Sequence, residues 1–227
     1  MRLYKLLSIA LALLLFISIG SVAQAQKSVK LSNAQMENLV RRSYQYVAMF
    51  NVNNKGALDD SNPMSTQGYN KVRSSTTQLD HRSRVIARPN NDTLYTVAMV
   101  DVTKEPIVMK IPAFDSTYVS LMVTGYDHYV NIPMSTSMGK DIFAKPSTIL
   151  FYSERTPGYH GEPVAGVDKI FEATGDFLSA VLRVMPHAAE PKRLAANQAA
   201  MQAVTVEPLS EFLGRRAGAS AWLWPCP

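Results

Sequence analysis

Residues 88–95 read Arg88-Pro89-Asn90-Asn91-Asp92-Thr93-Leu94-Tyr95, and the chain continues Thr96-Val97-Ala98-Met99-Val100-Asp101-Val102. A residue before proline is pushed toward extended backbone. Asparagine and aspartate stabilise turns by bonding their own backbone and by tolerating left-handed geometry. Residues 88–92 are therefore expected to form a rigid polar turn. From Thr93 the pattern changes to period two, with Leu94, Ala98, Val100 and Val102 on one face and Thr93, Tyr95 and Asp101 on the other. A half-buried strand carrying a polar turn at its rim points to a sheet-built fold.

Working outward, Ile107, Met109 and Ile111 alternate with Val108 and Lys110 until Pro112, which predicts a second strand in a hairpin with the first. Residues 118–124 read as a third, and three sequential strands favour an antiparallel meander. Residues 148–152, 167–172 and 177–185 supply further strands, the last with Leu178, Ala180, Leu182 and Val184 alternating against Ser179, Val181 and Arg183. Residues 132–147 read as a long connection and 156–163 as a surface loop. Before this region, Ser32 and Gln35 form a capping box that opens a helix from 32 to about 50, with Tyr44 and Tyr46 assigned to its core side. Residues 51–68 read as a loop, and residues 69–79 suit helix or strand equally. Pro191 opens a helix toward residue 203, and a short helix follows at 209–213. The expected fold class is α+β, a mainly antiparallel β-sandwich-like core from about 84 to 185 with flanking N- and C-terminal helices.

At 227 residues a single domain is expected, over residues 26–213. Residues 1–25 carry Arg2 and Lys5, an apolar run and Ala23-Gln24-Ala25, the pattern of a signal peptide cleaved after Ala25, so the mature chain is expected in the periplasm or outside the cell without a stable membrane span. Residues 214–227 lack periodicity and read as an irregular tail. The net charge of +5 drops to +3 without Arg2 and Lys5, and the charges are dispersed, which speaks against a nucleic-acid partner. The lone Cys226 excludes an internal disulfide framework and a cysteine metal site.

No Gly-x-Ser-x-Gly elbow, dinucleotide fingerprint, phosphate loop or His-Glu-x-x-His occurs, so no cofactor and no metal are implied. His160 and Glu162 lie two apart without a third metal ligand in view. Two function classes fit what is left. In one, Arg88, Asn90, Asn91, Asp92, Tyr95, Tyr126 and Arg183 surround a small polar or carbohydrate-like ligand, with Asn90, Asn91, Asp92 and one arginine forming a buried polar network under a pocket shaped by Tyr95 and Tyr126. In the other, the chain is a hydrolase whose catalytic candidates are Asp92, Asp127 and His128, with Arg88 or Arg183 steadying an anion. A structural or partner-binding role is the third reading.

Arg88-Pro89-Asn90-Asn91-Asp92-Thr93-Leu94-Tyr95, Ile111-Pro112, Tyr118-Val119-Ser120-Leu121, Tyr126-Asp127-His128-Tyr129-Val130-Asn131 and Ser179-Ala180-Val181-Leu182-Arg183-Val184 together resemble the bacterial family catalogued as domain of unknown function 1254. The resemblance implies a β-sandwich-like module with flanking helices and no established reaction. Longer relatives continue into a second β domain. Since the likeness fades after Phe212, that domain is expected to be missing here, leaving apolar surface for a homo-oligomer.

Overall fold

A computed structural model of the chain describes residues 30–62, 64–83, 90–127, 129–139 and 142–215. The described residues fall into two compact units that divide between Arg42 and Ser43. The first holds the start of helix α1 (Asn33–Leu58). Its capping box is formed: the Ser32 N–H donates to Gln35 Oε1 at 2.9 Å and the Gln35 N–H to Ser32 Oγ at 3.3 Å. Arg41 pairs with Glu37 one turn earlier, and Met36, Leu39 and Val40 are exposed.

The second unit contains the rest of α1, nine strands and two further helices, α2 (Pro191–Gln202) and α3 (Leu209–Phe212). Helix α1 runs eight residues beyond its expected end, through a stretch whose Asn and Gly content reads as loop. Packing overrides propensity there. The Asn53 side chain donates to the Met49 carbonyl at 3.0 Å, and a Cβ on Gly56 would stand 2.7 Å from Met99 Cε. Asn53 and Ala57 are the buried positions, whereas Tyr44 and Tyr46 are 69% and 51% exposed, so the core assignment of those two tyrosines is corrected.

The strands are β1 (Lys71–Ser75), β2 (Leu94–Asp101), β3 (Ile107–Ile111), β4 (Val119–Gly125), β5 (Val130–Ser135), β6 (Ser147–Ser153), β7 (Lys169–Ala173), β8 (Phe177–Val184) and β9 (Thr205–Pro208). They form a five-stranded sheet in the order β1-β2-β8-β4-β5 and a four-stranded sheet in the order β7-β6-β3-β9. Every pairing is antiparallel except β6 with β7. The two sheets share one core, with Leu94, Val100, Leu121, Leu178 and Leu182 from the first meeting Ile107, Met109, Ile149 and Phe151 from the second. The α+β class with a mainly antiparallel sandwich core is as expected.

Pairing differs from expectation in two places. Strands β2 and β3 form no hairpin, because the chain crosses between sheets after Val102. There the Val102 N–H donates to the Asp176 carbonyl at 2.9 Å and Thr156 Oγ1 donates to the Val102 carbonyl at 3.0 Å. The meander is likewise replaced, since β8, late in sequence, inserts between β2 and β4. Alternation tells which face of a strand is apolar and says nothing about its neighbour. Residues 132–147, expected as a connection, contain most of β5, and residues 69–79 contain β1.

The second sheet is covered on both faces. Val108, on the face opposite Ile107 and Met109, is fully buried under Tyr159, Val164 and Leu209. The stretch expected as a surface loop thus contributes core: Tyr159 is fully buried and its hydroxyl donates to the Glu162 carbonyl at 2.6 Å. The first sheet is covered only in part, and that asymmetry positions the site.

Candidate functional site

The register of the five-stranded sheet lines up one transverse row on its outer face. Ser75 stands opposite Tyr95, Tyr95 opposite Arg183, Arg183 opposite Ser120, and Ser120 opposite Ser135. The Arg183 guanidinium carbon lies 5.3 Å from the centre of the Tyr95 ring, a cation–π contact. Its Nε is sequestered from solvent and has no hydrogen-bond acceptor among the described residues, and Arg183 enters no ion pair with them. The Tyr118 hydroxyl donates to Ser120 Oγ at 3.1 Å. The adjoining row runs Arg73, Val97, Val181, Met122 and Pro133, apolar apart from the arginine at its edge, and Met122 is 40% exposed. Hydroxyls, a stacked guanidinium and a strip of apolar surface therefore stand together on an open sheet face.

The opposite end of this face is closed. Phe50 packs edge-on against Tyr126 and Phe177 at 5.7 and 5.6 Å, and Tyr126 stacks on Phe177 at 5.7 Å. The Tyr126 and Tyr69 hydroxyls lie 3.1 Å apart, and Tyr69 also donates to Asn54 Oδ1 at 3.2 Å. Burial, then the Tyr69 hydrogen bond and the charges of Tyr69 and Asp101, push the Tyr126 hydroxyl far above the ordinary tyrosine range. This cluster fastens the second half of α1 to the sheet.

The residues singled out by sequence therefore separate. Tyr95 and Arg183 meet directly. Tyr126 does not join them, since Arg183 and Phe177 lie six residues apart on β8, about 20 Å at the ordinary strand rise. Asp92 and Asn91 are exposed and Asn90 half-buried. The Asn90 side chain accepts the Asp92 N–H at 2.6 Å, and Gln78 donates to the Asn91 carbonyl at 2.6 Å. The turn is thus a local Asx turn and not the buried network expected of it, because its carboxylate faces water and pairs with no arginine among the described residues. Asp127 accepts the Tyr129 N–H at 3.0 Å in a similar turn. Arg88, with the start of the turn, and His128 lie outside the described residues, as do residues 1–29 and the tail from 216.

Two constellations had no signal in the sequence. His187, a non-glycine residue at φ 55°, has Nε2 3.1 Å from the Thr117 N–H and 3.4 Å from Ser116 Oγ, and Nδ1 3.6 Å from Glu190. The ring resembles the middle of a catalytic triad. However, the Nε2 lone pair is taken by a main-chain N–H, and the Ser116 hydroxyl donates to the Met185 carbonyl at 2.8 Å, so the group acts as a latch between the β3–β4 connection and α2. A sequence separation of seventy residues hides it. Ser153, Arg155 and Asp176 form the second, with bonds to Asp176 of 2.6 and 2.9 Å. Burial raises the Asp176 carboxyl, but hydrogen bonds from Arg155 and Ser153 outweigh it and hold it below the usual carboxylate range.

Among the described residues there is no group of three or more His, Cys, Asp or Glu side chains placed to hold a metal, and no helix is long and apolar enough to cross a membrane. A comparison with curated proteins finds no match. Among solved structures, the VPA0106 protein from Vibrio parahaemolyticus superposes with a TM-score of 0.58 at 21% identity, over 77% of this chain and 38% of that one. The chain thus spans well under half the length of that structure, and the likeness shows a shared fold. An uncharacterised protein from Burkholderia cenocepacia matches at 12% identity with a TM-score of 0.37, over 78% of this chain and 51% of that one. The profile of the protein family of unknown function DUF1254 matches residues 69–208, from the start of the sandwich to the end of β9, and the chain belongs to that family.

Proposed function

We propose that the open outer face of the five-stranded sheet binds a small polar ligand, carbohydrate-like and carrying an anionic group, with Arg183 on its charge and Tyr95 and the serine row around it. The observation that carries this reading is the sequestered Arg183 Nε without an acceptor among the described residues. A buried donor left unmade costs about 1–3 kcal/mol, so the arginine is not placed there for stability, and its terminal guanidinium N–H groups, which are not buried, are the donors an arriving carboxylate would meet. Few polar groups beside an aromatic ring and an apolar strip is also the ordinary composition of a small-molecule site.

The acid–base reading through Asp92 or Asp127 draws no comparable support: the Asp127 carboxylate accepts the Tyr129 N–H of its own turn, and the Asp92 carboxylate faces water with no described partner. Export is part of the proposal and rests on sequence alone, on the charged and apolar residues before Ala25. Amino-terminal sequencing of material recovered outside the cytoplasm should begin at Gln26.

The binding test is a thermal-shift and saturation-transfer series with glucuronate, galacturonate and their neutral sugars. The acids should stabilise the protein, the neutral sugars should do so weakly, and Arg183→Met should abolish the difference. An unchanged response in Arg183→Met sinks the reading. No response to any of them leaves the structural or partner-binding role standing in its place.

A further inference from the structure

The edge strands β5 and β7 belong to different sheets and frame a gap between them. At one end the gap is clasped. The Thr174 N–H donates to Asn131 Oδ1 at 3.2 Å, and Asn131 Nδ2 donates to Thr174 Oγ1 at 3.1 Å. Toward the other end it opens into a cleft of about 300 Å³ lined by Met134, Met138, Ile142, Phe171 and Lys169. Strand parity explains the lining. Lys169 pairs across from Ile149 and Phe171 from Phe151, so Lys169 sits on the face of β7 that turns toward the sandwich interior. It forms no ion pair with a described carboxylate.

We infer that this cleft binds a small amphipathic carboxylate, with its apolar tail among the methionines and Phe171 and its head on Lys169. Of the five described lining residues four are apolar, two of them methionines whose unbranched thioethers adapt to varied shapes, and the fifth, Lys169, supplies a cation. At roughly 30 Å³ per water-sized group, the volume corresponds to about ten non-hydrogen atoms. Octanoate has that size. A lysine on the inward face of an edge strand also guards against edge-to-edge pairing, and the two roles give different results. The cleft lies between the sheets and its case does not rest on the Arg183 surface.

The probe is octanoate, with octan-1-ol as its uncharged counterpart, followed by titration calorimetry and by methyl spectra of methionine-labelled protein. Octanoate should bind, and the Met134 and Met138 methyls should move while Met122 does not. Octan-1-ol should bind about tenfold more weakly, and Lys169→Gln should weaken octanoate by about tenfold or more. Met138→Glu, at a position already 65% exposed, should abolish octanoate binding with the melting temperature unchanged. Equal affinity for acid and alcohol, or full octanoate affinity in Lys169→Gln or Met138→Glu, overturns the assignment. So does an octanoate response centred on methionines outside the cleft. Should Lys169→Gln aggregate, Met138→Glu still decides.

Discussion

Arg183 faces Tyr95 across the β2–β8 ladder, and its guanidinium carbon rests 5.3 Å from the centre of the tyrosine ring. Such a contact at a partly exposed site contributes roughly 0.5–1 kcal/mol, while the Nε leaves a hydrogen bond unmade. Arg183→Met is therefore expected to leave folding stability unchanged or to raise it slightly in urea unfolding, with Tyr95→Leu costing no more than about 1 kcal/mol. A loss above about 2 kcal/mol for Arg183→Met would mean that the arginine holds the fold together and is not held ready for a ligand.

The Asn90–Asp92 turn supports the opposite kind of prediction. Asp92 is exposed and its N–H, not its carboxylate, makes the turn's bond to Asn90. Asp92→Asn should change stability by less than about 0.5 kcal/mol, as surface substitutions do. Asn90→Ala removes the acceptor and should cost on the order of 1 kcal/mol. Equilibrium unfolding of both variants checks this, and a loss of 3–5 kcal/mol in Asp92→Asn, the range for a broken buried pair, would contradict it.

Acid sensitivity should run through Asp176. Its carboxyl is held below the ordinary value of 3.8 in the folded chain, so on acidification the unfolded chain takes up the proton first. The stability it contributes is complete above its unfolded value and is lost as pH falls through the folded one. Thermal melts between pH 7 and pH 2 should therefore fall more steeply for the native protein than for Asp176→Asn, the two curves converging at the acid end. Parallel curves would remove Asp176 from the account.

At the alkaline end the buried tyrosines take over. Burial, with the charges of Glu162 and Tyr152, pushes the Tyr159 hydroxyl up to about 12, and the Tyr126 hydroxyl is pushed further by its own burial and by Tyr69. Both are raised, so their contribution is intact below the ordinary value of 10 and disappears as pH rises through the folded values. Absorbance at 295 nm should show a late, cooperative tyrosine fraction that coincides with unfolding. Tyr126→Phe together with Tyr159→Phe should shrink that late fraction to what Tyr69 and Tyr152, also raised by burial, contribute.

Local pattern by itself determined six of the nine strands among the described residues (β2, β3, β4, β6, β7 and β8) and the helix starts, whereas β1 fell in an ambiguous stretch, β5 largely in an expected connection and β9 where no strand was expected. Ile107, Met109 and Ile111 alternate with their neighbours and form β3, and the Ser32–Gln35 box opens α1 as its spacing demands. These are short-range properties, readable from period and capping. The Arg183–Tyr95 pair was half legible: each residue stood out singly, an arginine on an apolar strand and a tyrosine on a polar face, but their meeting depends on β8 inserting between β2 and β4. Sequence spacing carries no information on that choice, because parity decides faces and long-range packing decides neighbours. The same reason kept Tyr126 wrongly beside Tyr95 and Asp92 wrongly buried. It also hid the extension of α1 beyond Phe50, where Gly56 fits against Met99, and the capture of His187 by Thr117 across seventy residues. In each case the deciding contact joins segments far apart in the chain, and only the closed sandwich brings them within reach.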